Sequence, residues 1–221
     1  MHCKALQGNN SLNLIWFIYS IYIGPFLQKV FIPIFPERTK EAFEERGVQF
    51  TEEGIQRLNH EYEVGEITST QFFQEIASSC KYLQSSSAIA HGWNELLGDM
   101  TDPTLFLKKL GKSYDLCLVS NTNEAHIKHI RNQAGPFLWN SFVEKFEALF
   151  LSYEIGHRKP DASYFNYVLE HMNAQPEEVL FVDDSPANIE AAEALGINNF
   201  LFNLQDQDLA KELPAVLAKF D

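Results

Sequence analysis

Three short stretches carry side chains suited to handling a phosphate. In "LVSNTN", Ser120, Asn121 and Asn123 directly follow an apolar run. A hydroxyl, amides and free backbone N–H groups can converge there on an anionic oxygen. Ser and Asn are also ordinary turn and cap residues, so the stretch carries little weight alone. In "GHRKPD", Lys159 stands just before Pro160, which disfavours helical backbone at Lys159 and pre-sets the turn beyond it. A Lys at a helix N-terminus is electrostatically misplaced unless an anion lies between them. In "EVLFVDDSPANIEAA", Asp183 and Asp184 follow four apolar residues. Adjacent carboxylates repel unless a cation or a Lys lies nearby. Successive side chains diverge, so one Asp can pair with Lys159 while the other meets a divalent metal through its hard oxygen. An N-cap explains one of these carboxylates but not both.

The elements that must position these residues alternate from Tyr114 onward. "YDLCLVS", "KFEALFLS", "EVLFVDD" and "NNFLFN" read as strands, separated by the helical stretches "NEAHIKHIRNQ", "PDASYFNYVLEHMN" and "PANIEAAEALG", the last closed by Gly196. Alternation with connections this short predicts a parallel sheet covered on both faces, whose ligands bind at the carboxyl ends of the strands. All three stretches fall at such ends. Residues 37–80 differ: they are charged, with apolar residues at helical spacing, and read as short helices punctuated at Gly47, Gly54 and Gly65. Thr68 is the expected N-cap of "STQFFQEIASS", and helical character extends through "IAHGWNELLGDM" and "PTLFLKKLGK".

A chain of 221 residues suits one compact domain or a core with a small insertion. Hydrophobic residues at 45% and aromatics at 13% argue for a globular protein and against disorder. The net charge of −13 disfavours nucleic acid as a partner, although one Lys and oriented N–H groups still suffice for a small anion. Cys3, Cys80 and Cys117 show no metal spacing and predict isolated thiols in a reducing compartment, hence a cytoplasmic location, with neither zinc nor disulfides. Residues 12–34 are apolar enough to raise a membrane anchor or a signal peptide. Gly24, Pro25 and Lys29 interrupt the run before the ~20 residues a spanning helix needs, and its Ile, Tyr and Phe fit a strand buried on both faces. No heptad or seam points to an oligomeric state.

The order Ser, then Lys-Pro, then Asp-Asp resembles the later motifs of the haloacid dehalogenase-like (HAD) phosphatases. With "EVGEITSTQFFQEI", "HGW" and "LFLSYEIGHRKPDASYFNYVLEHM" included, it is similar to the subgroup holding bacterial α-D-glucose-1-phosphate phosphatases and the amino-terminal domain of soluble epoxide hydrolases, over roughly residues 37–205. The resemblance implies a doubly wound, Rossmann-like α/β core from residues 1–36 and 93–221. A small helical cap, residues 37–92, would be inserted after the first strand, with Gly65 and Glu66 nearest the site. It implies a small phosphorylated metabolite, of sugar-phosphate type, as substrate, and Mg²⁺ as cofactor. Ser120 and Asn121 would bind the phosphoryl group, Lys159 would neutralise nucleophile and phosphate, Asp183 would orient Lys159, Asp184 would hold Mg²⁺, and Asn188 would lie near the metal.

The family's nucleophile is an Asp at the end of the first strand, which forms an aspartyl-phosphate. Counting back from "ERTKEAF" puts Phe26 at that position; matching "NLIWFIYSI" to the strand puts Phe17 there. No Asp or Glu precedes Glu37, and the first Asp is Asp99. A phenyl ring neither attacks phosphorus nor ligates a metal, and His2, Cys3 and Ser20 do not sit where the motif needs a nucleophile. The expectation is therefore a phosphatase-like protein without turnover, binding Mg²⁺ weakly. Its runner-up is a pocket kept for phosphate or partner recognition. The abrupt end of the resemblance near residue 36 also fits an amino-terminal segment read from another frame or start.

Overall fold

The computed structural model describes residues 14–18, 31–202 and 208–220. Its strands are β1 (Leu14–Ile18), β2 (Asp115–Ser120), β3 (Ala148–Leu151), β4 (Val179–Asp183) and β5 (Asn198–Leu201). They form one sheet of order β3-β2-β1-β4-β5, and every described pairing is parallel. The sequence offers two apolar runs for the central strand, "NLIWFIY" and "KVFIPIF". The sheet uses the first: Phe17 lies between Leu118 of β2 and Val182 of β4. Phe26 lies outside the described residues. Of the second run, Phe31, Ile32 and Ile34 are buried without joining the sheet, and Ile34 bridges antiparallel to Leu97.

Alternating side chains send the strands' apolar residues to both faces, as a doubly covered parallel sheet requires. On one face Ile15, Leu116, Leu118, Leu180 and Val182 pack with α5 (Thr104–Leu110), α6 (Glu124–Val143) and α10 (Leu209–Leu217). On the other, Trp16, Cys117, Val119, Val179 and Phe181 pack with α8 (Ala162–Met172) and α9 (Pro186–Glu193). Gly196 closes α9 with a left-handed turn: its N–H returns to Glu193 C=O and that of Ile197 to Ala192 C=O.

Between β1 and β2 the chain forms α1 (Pro36–Glu45), α2 (Glu52–Glu63), α3 (Ser69–Ser78) and α4 (Ser86–Asn94). These bury an apolar cluster of their own, including Leu58, Tyr62, Phe72, Ile76 and Trp93. Thr68 caps α3 in a full capping box with Gln71. Gly47 and Gly65 follow α1 and α2 with positive φ, but Gly54 does not punctuate: it sits in the first turn of α2, donating its N–H to Thr51 Oγ1. The helix through "HGW" ends at Asn94, earlier than its apolar pattern suggests. The chain enters and leaves this unit along neighbouring paths, since Phe35 N–H reaches Leu96 C=O and Gly98 N–H reaches Pro33 C=O.

Two further elements depart from the sequence reading. The helix after "SNT" runs to Val143, with a non-helical break at Gly135 ahead of Pro136. Ser152, read as the end of a strand, instead opens α7 (Ser152–Ile155). Among the described residues no helix is long and apolar enough to cross a membrane.

Candidate active site

The carboxyl ends of β2 and β4 bring the stretches "LVSNTN", "GHRKPD" and "EVLFVDDSPANIEAA" together around Lys159. This lysine is 2% exposed and forms a salt bridge with Asp183. Its Nζ donates to Asp183 Oδ2 at 3.1 Å and to Val119 C=O at 3.2 Å, and lies 5.5 Å from the ring centre of Phe181. A buried cation of this kind is tolerated only when paired and hydrogen-bonded. The Lys159–Pro160 peptide is cis, and α8 starts at Ala162, beyond its N-cap Asp161.

Asp183 is fully buried and saturated. Oδ1 accepts from Ser185 N–H at 2.7 Å and from Asn188 Nδ2 at 3.1 Å. Oδ2 accepts from Lys159 and from Asn188 Nδ2 at 2.9 Å. Asn188, in the first turn of α9, thus braces the carboxylate that pairs with the lysine. Asp184 follows at the strand's edge, half-buried.

Ser120 ends β2 and is buried, with Oγ 3.4 Å from Asn121 C=O. The Asn121 side chain is turned onto the main chain of Lys159: Nδ2 donates to Lys159 C=O at 2.8 Å, and Oδ1 accepts from Lys159 N–H at 2.9 Å. Asn123 caps α6, its Oδ1 accepting from His126 N–H at 3.0 Å. That bond turns Asn123 Nδ2 toward His126 Nδ1, 3.1 Å away, so Nδ1 accepts and the imidazole proton sits on Nε2. Burial pushes the His126 pKa down to about 3, and its ring stacks on Trp93 with centroids 5.4 Å apart.

Several supporting residues had no role in the sequence reading. Ser152 Oγ accepts from Thr122 N–H at 2.9 Å and donates to Thr122 C=O at 3.0 Å, tying the β2–α6 loop to the end of β3. Tyr62 OH accepts from Ala125 N–H at 3.1 Å and pairs with Ser69 Oγ at 2.7 Å; Ser69 in turn donates to Glu124. Arg158, inside the quoted "GHRKPD", forms an ion pair with Glu63 of α2 at 3.2 Å. Burial raises the Glu63 pKa, while Arg158 and Asn59 pull it back. Gly65, which the sequence does single out, lies against the core so closely that a Cβ there would stand 2.3 Å from Tyr153 C=O. The sequence signal for these contacts is thin, because each joins residues far apart in the chain.

A magnesium cage needs several oxygen ligands, usually with more than one carboxylate. Among the described residues no three His, Cys, Asp or Glu side chains gather as such a cage. Asp183 is taken up by Lys159, Ser185 and Asn188. Asp184 is then the one carboxylate that this end of β4 offers a metal. The described donor set does not by itself fit a tightly held Mg²⁺.

The family model of haloacid dehalogenase-like hydrolases matches residues 33–196. The chain belongs to that family. D-ribitol-5-phosphate phosphatase of Bacteroides thetaiotaomicron is 25% identical over 182 residues, spanning 77% of this chain and 86% of that protein. Bifunctional epoxide hydrolase 2 of Sus scrofa is 26% identical over 69% of this chain, a match confined to 29% of the longer protein. Among solved structures, a HAD family enzyme from B. thetaiotaomicron in a magnesium complex superposes with a TM-score of 0.80 at 29% identity, covering 92% of this chain and 98% of its own. A variant of that enzyme with one Asp replaced by Ala has been solved with magnesium and inorganic phosphate. This HAD-family chain therefore shares its five-stranded parallel α/β fold with those structures, and the family match begins after β1.

Proposed function

We propose that the protein recognises a small phosphorylated metabolite, of sugar- or polyol-phosphate type, and does not hydrolyse it. One observation carries this reading. β1 lies between the strands that deliver Ser120 and Asp183, and its sequence is Leu-Ile-Trp-Phe-Ile. Phe17 takes the place of the nucleophilic Asp, and no carboxylate precedes Glu37 to replace it. Without that Asp there is no acceptor for the phosphoryl group and no second anionic ligand beside Asp184. Mg²⁺, when bound, would screen phosphate charge, held weakly through Asp184.

Anion binding draws on what remains. Among the described residues, two of the three Lys159 ammonium donors find acceptors, leaving one for a phosphate oxygen. Because the Asn121 amide is turned onto Lys159, this stretch would meet the phosphate through Ser120 at the strand end and the main-chain N–H of Asn121 rather than through the amide. Removing the Asp also removes a negative charge that would repel the anion. The Asp-to-Ala relative solved with magnesium and phosphate supports binding without a full complement of aspartates. Helices α1–α4, with their separate apolar cluster, act as the cap that selects the rest of the substrate.

The test pairs calorimetry with an assay. Inorganic phosphate and ribitol 5-phosphate should give binding heat with the parent protein and none with Lys159→Ala, folded by circular dichroism. Neither the parent nor Asp184→Ala should release phosphate with Mg²⁺ present. Phe17→Asp should bring measurable turnover. Magnesium-dependent hydrolysis by the parent would overturn the non-catalytic reading, and absence of binding heat would overturn recognition.

A further inference from the structure

Glu63 is the carboxylate that α2 buries, at 8% exposure, and α2 belongs to the helical unit rather than to the sheet. Asn59, one turn earlier, donates to Glu63 Oε1 at 3.1 Å, fixing the carboxylate on the helix. Its Oε2 lies 3.2 Å from the Arg158 guanidinium, and Arg158 also donates to His60 Nδ1 at 3.2 Å. Two side chains of α2 therefore hold one arginine of the core.

That arginine immediately precedes Lys159. Its C=O accepts from Asp161 N–H at 3.0 Å, so the arginine is part of the tight turn that carries the lysine. On the far side the Lys159 main chain is gripped by Asn121. The lysine backbone is thus clamped between the helical unit and the β2–α6 loop, while the ammonium reaches inward to Asp183 and Val119. Hydrogen bonds of this kind weaken steeply with displacement and misalignment, so a shift of the turn is felt at Nζ.

We propose that Glu63 is a positioning residue for Lys159, acting through Arg158 so that seating of the helical unit and anion binding at the lysine are coupled. The proposal rests on the phosphate-recognition reading above and deepens it. It also opposes the simplest electrostatic expectation. Neutralising Glu63 removes a negative charge and frees a guanidinium near the site, and both effects alone would tighten anion binding. Positioning predicts the reverse.

The experiment compares the parent, Glu63→Gln, Glu63→Asp and Glu95→Gln in two measurements. Glu95 pairs with Arg46 within the helical unit, 3.6 Å apart, and serves as the control. By calorimetry with inorganic phosphate, Glu63→Gln should bind roughly tenfold more weakly, within the range seen for residues sharing one ion-pair network. Glu63→Asp should recover part of the loss, and Glu95→Gln should match the parent. By amide hydrogen exchange without phosphate, Glu63→Gln should speed exchange at the Lys159 and Asp161 amides, leaving β4 and α8 unchanged. Unchanged or tighter phosphate binding would overturn the coupling, as would exchange that rises evenly along the chain. If the parent binds no phosphate, the recognition reading falls. The exchange result then decides by itself whether Glu63 positions the lysine turn.

Discussion

Asn121 holds Lys159 by the main chain, accepting from its N–H at 2.9 Å and donating to its C=O at 2.8 Å. A primary amide reproduces the pairing that a neighbouring strand would offer, so a loop residue here replaces a strand. Asn121→Ala leaves both backbone groups unmet at a part-buried place. The expected cost is about 2 kcal/mol of stability, read as a lower urea midpoint at unchanged slope, together with weaker phosphate binding.

The Lys159–Asp183 pair makes a second prediction. Breaking a buried ion pair from one side costs about 3–5 kcal/mol, because the partner charge remains buried. Lys159→Met should fall near the lower end, since Ser185 N–H and Asn188 still hold Asp183. The double variant Lys159→Met, Asp183→Asn should be more stable than Lys159→Met alone. A urea series on the parent and the two variants checks this, and a double variant no more stable than Lys159→Met would refute it.

Gly65 and Gly156 share a backbone conformation but differ in surroundings. Their φ angles are +73° and +75°, a region that costs other residues about 1–2 kcal/mol. A Cβ at Gly65 would meet Tyr153 C=O at 2.3 Å, whereas one at Gly156 meets nothing within 4 Å. Gly156→Ala should therefore lose only the conformational term. Gly65→Ala should lose clearly more and loosen the helical unit from the core, seen as faster exchange at the Ala125 amide that Tyr62 receives.

His126 sets a pH response. Burial lowers its pKa from 6.5 in the unfolded chain to about 3 when folded. The unfolded chain binds the proton first as pH falls, so this stabilisation is whole above 6.5 and is lost progressively toward 3. Between about pH 7.5 and about pH 5 the loss through this one residue is about 2 kcal/mol. His126→Gln should be nearly free of it, so the gap between the two stability profiles should narrow as the solution is acidified.

Much of this was legible in the sequence because buried parallel strands are continuous apolar runs that end abruptly in polar turns, and β2, β3 and β4 have that form, whereas β5, Asn-Asn-Phe-Leu, is a partly exposed edge strand. Asp183 and Lys159 were also readable as partners, since two adjacent carboxylates call for a cation and the chain offers one before a proline. The choice of β1 was not readable. Residues 14–18 and 29–35 both read as apolar runs, the second interrupted by Lys29 and Pro33, and pairing with β2 and β4 selects the first. Gly54 misled because a glycine in a helix's first turn looks, in sequence, like one that ends a helix. The direction of the Asn121 amide and the Glu63–Arg158 pair depend on contacts between distant segments, which no local pattern encodes.

The central strand also has a history in time. Leu14 is level with Asp115 on one side and Val179 on the other, so β1 emerges from the ribosome long before either neighbour exists. The helical unit, whose contacts are mostly local, can assemble in the interval, but the sheet cannot close at its middle until β4 arrives. Until β2 arrives the apolar strand has two open edges, and until β4 arrives it keeps one. A protein built this way depends on its surroundings during synthesis more than its finished stability would suggest.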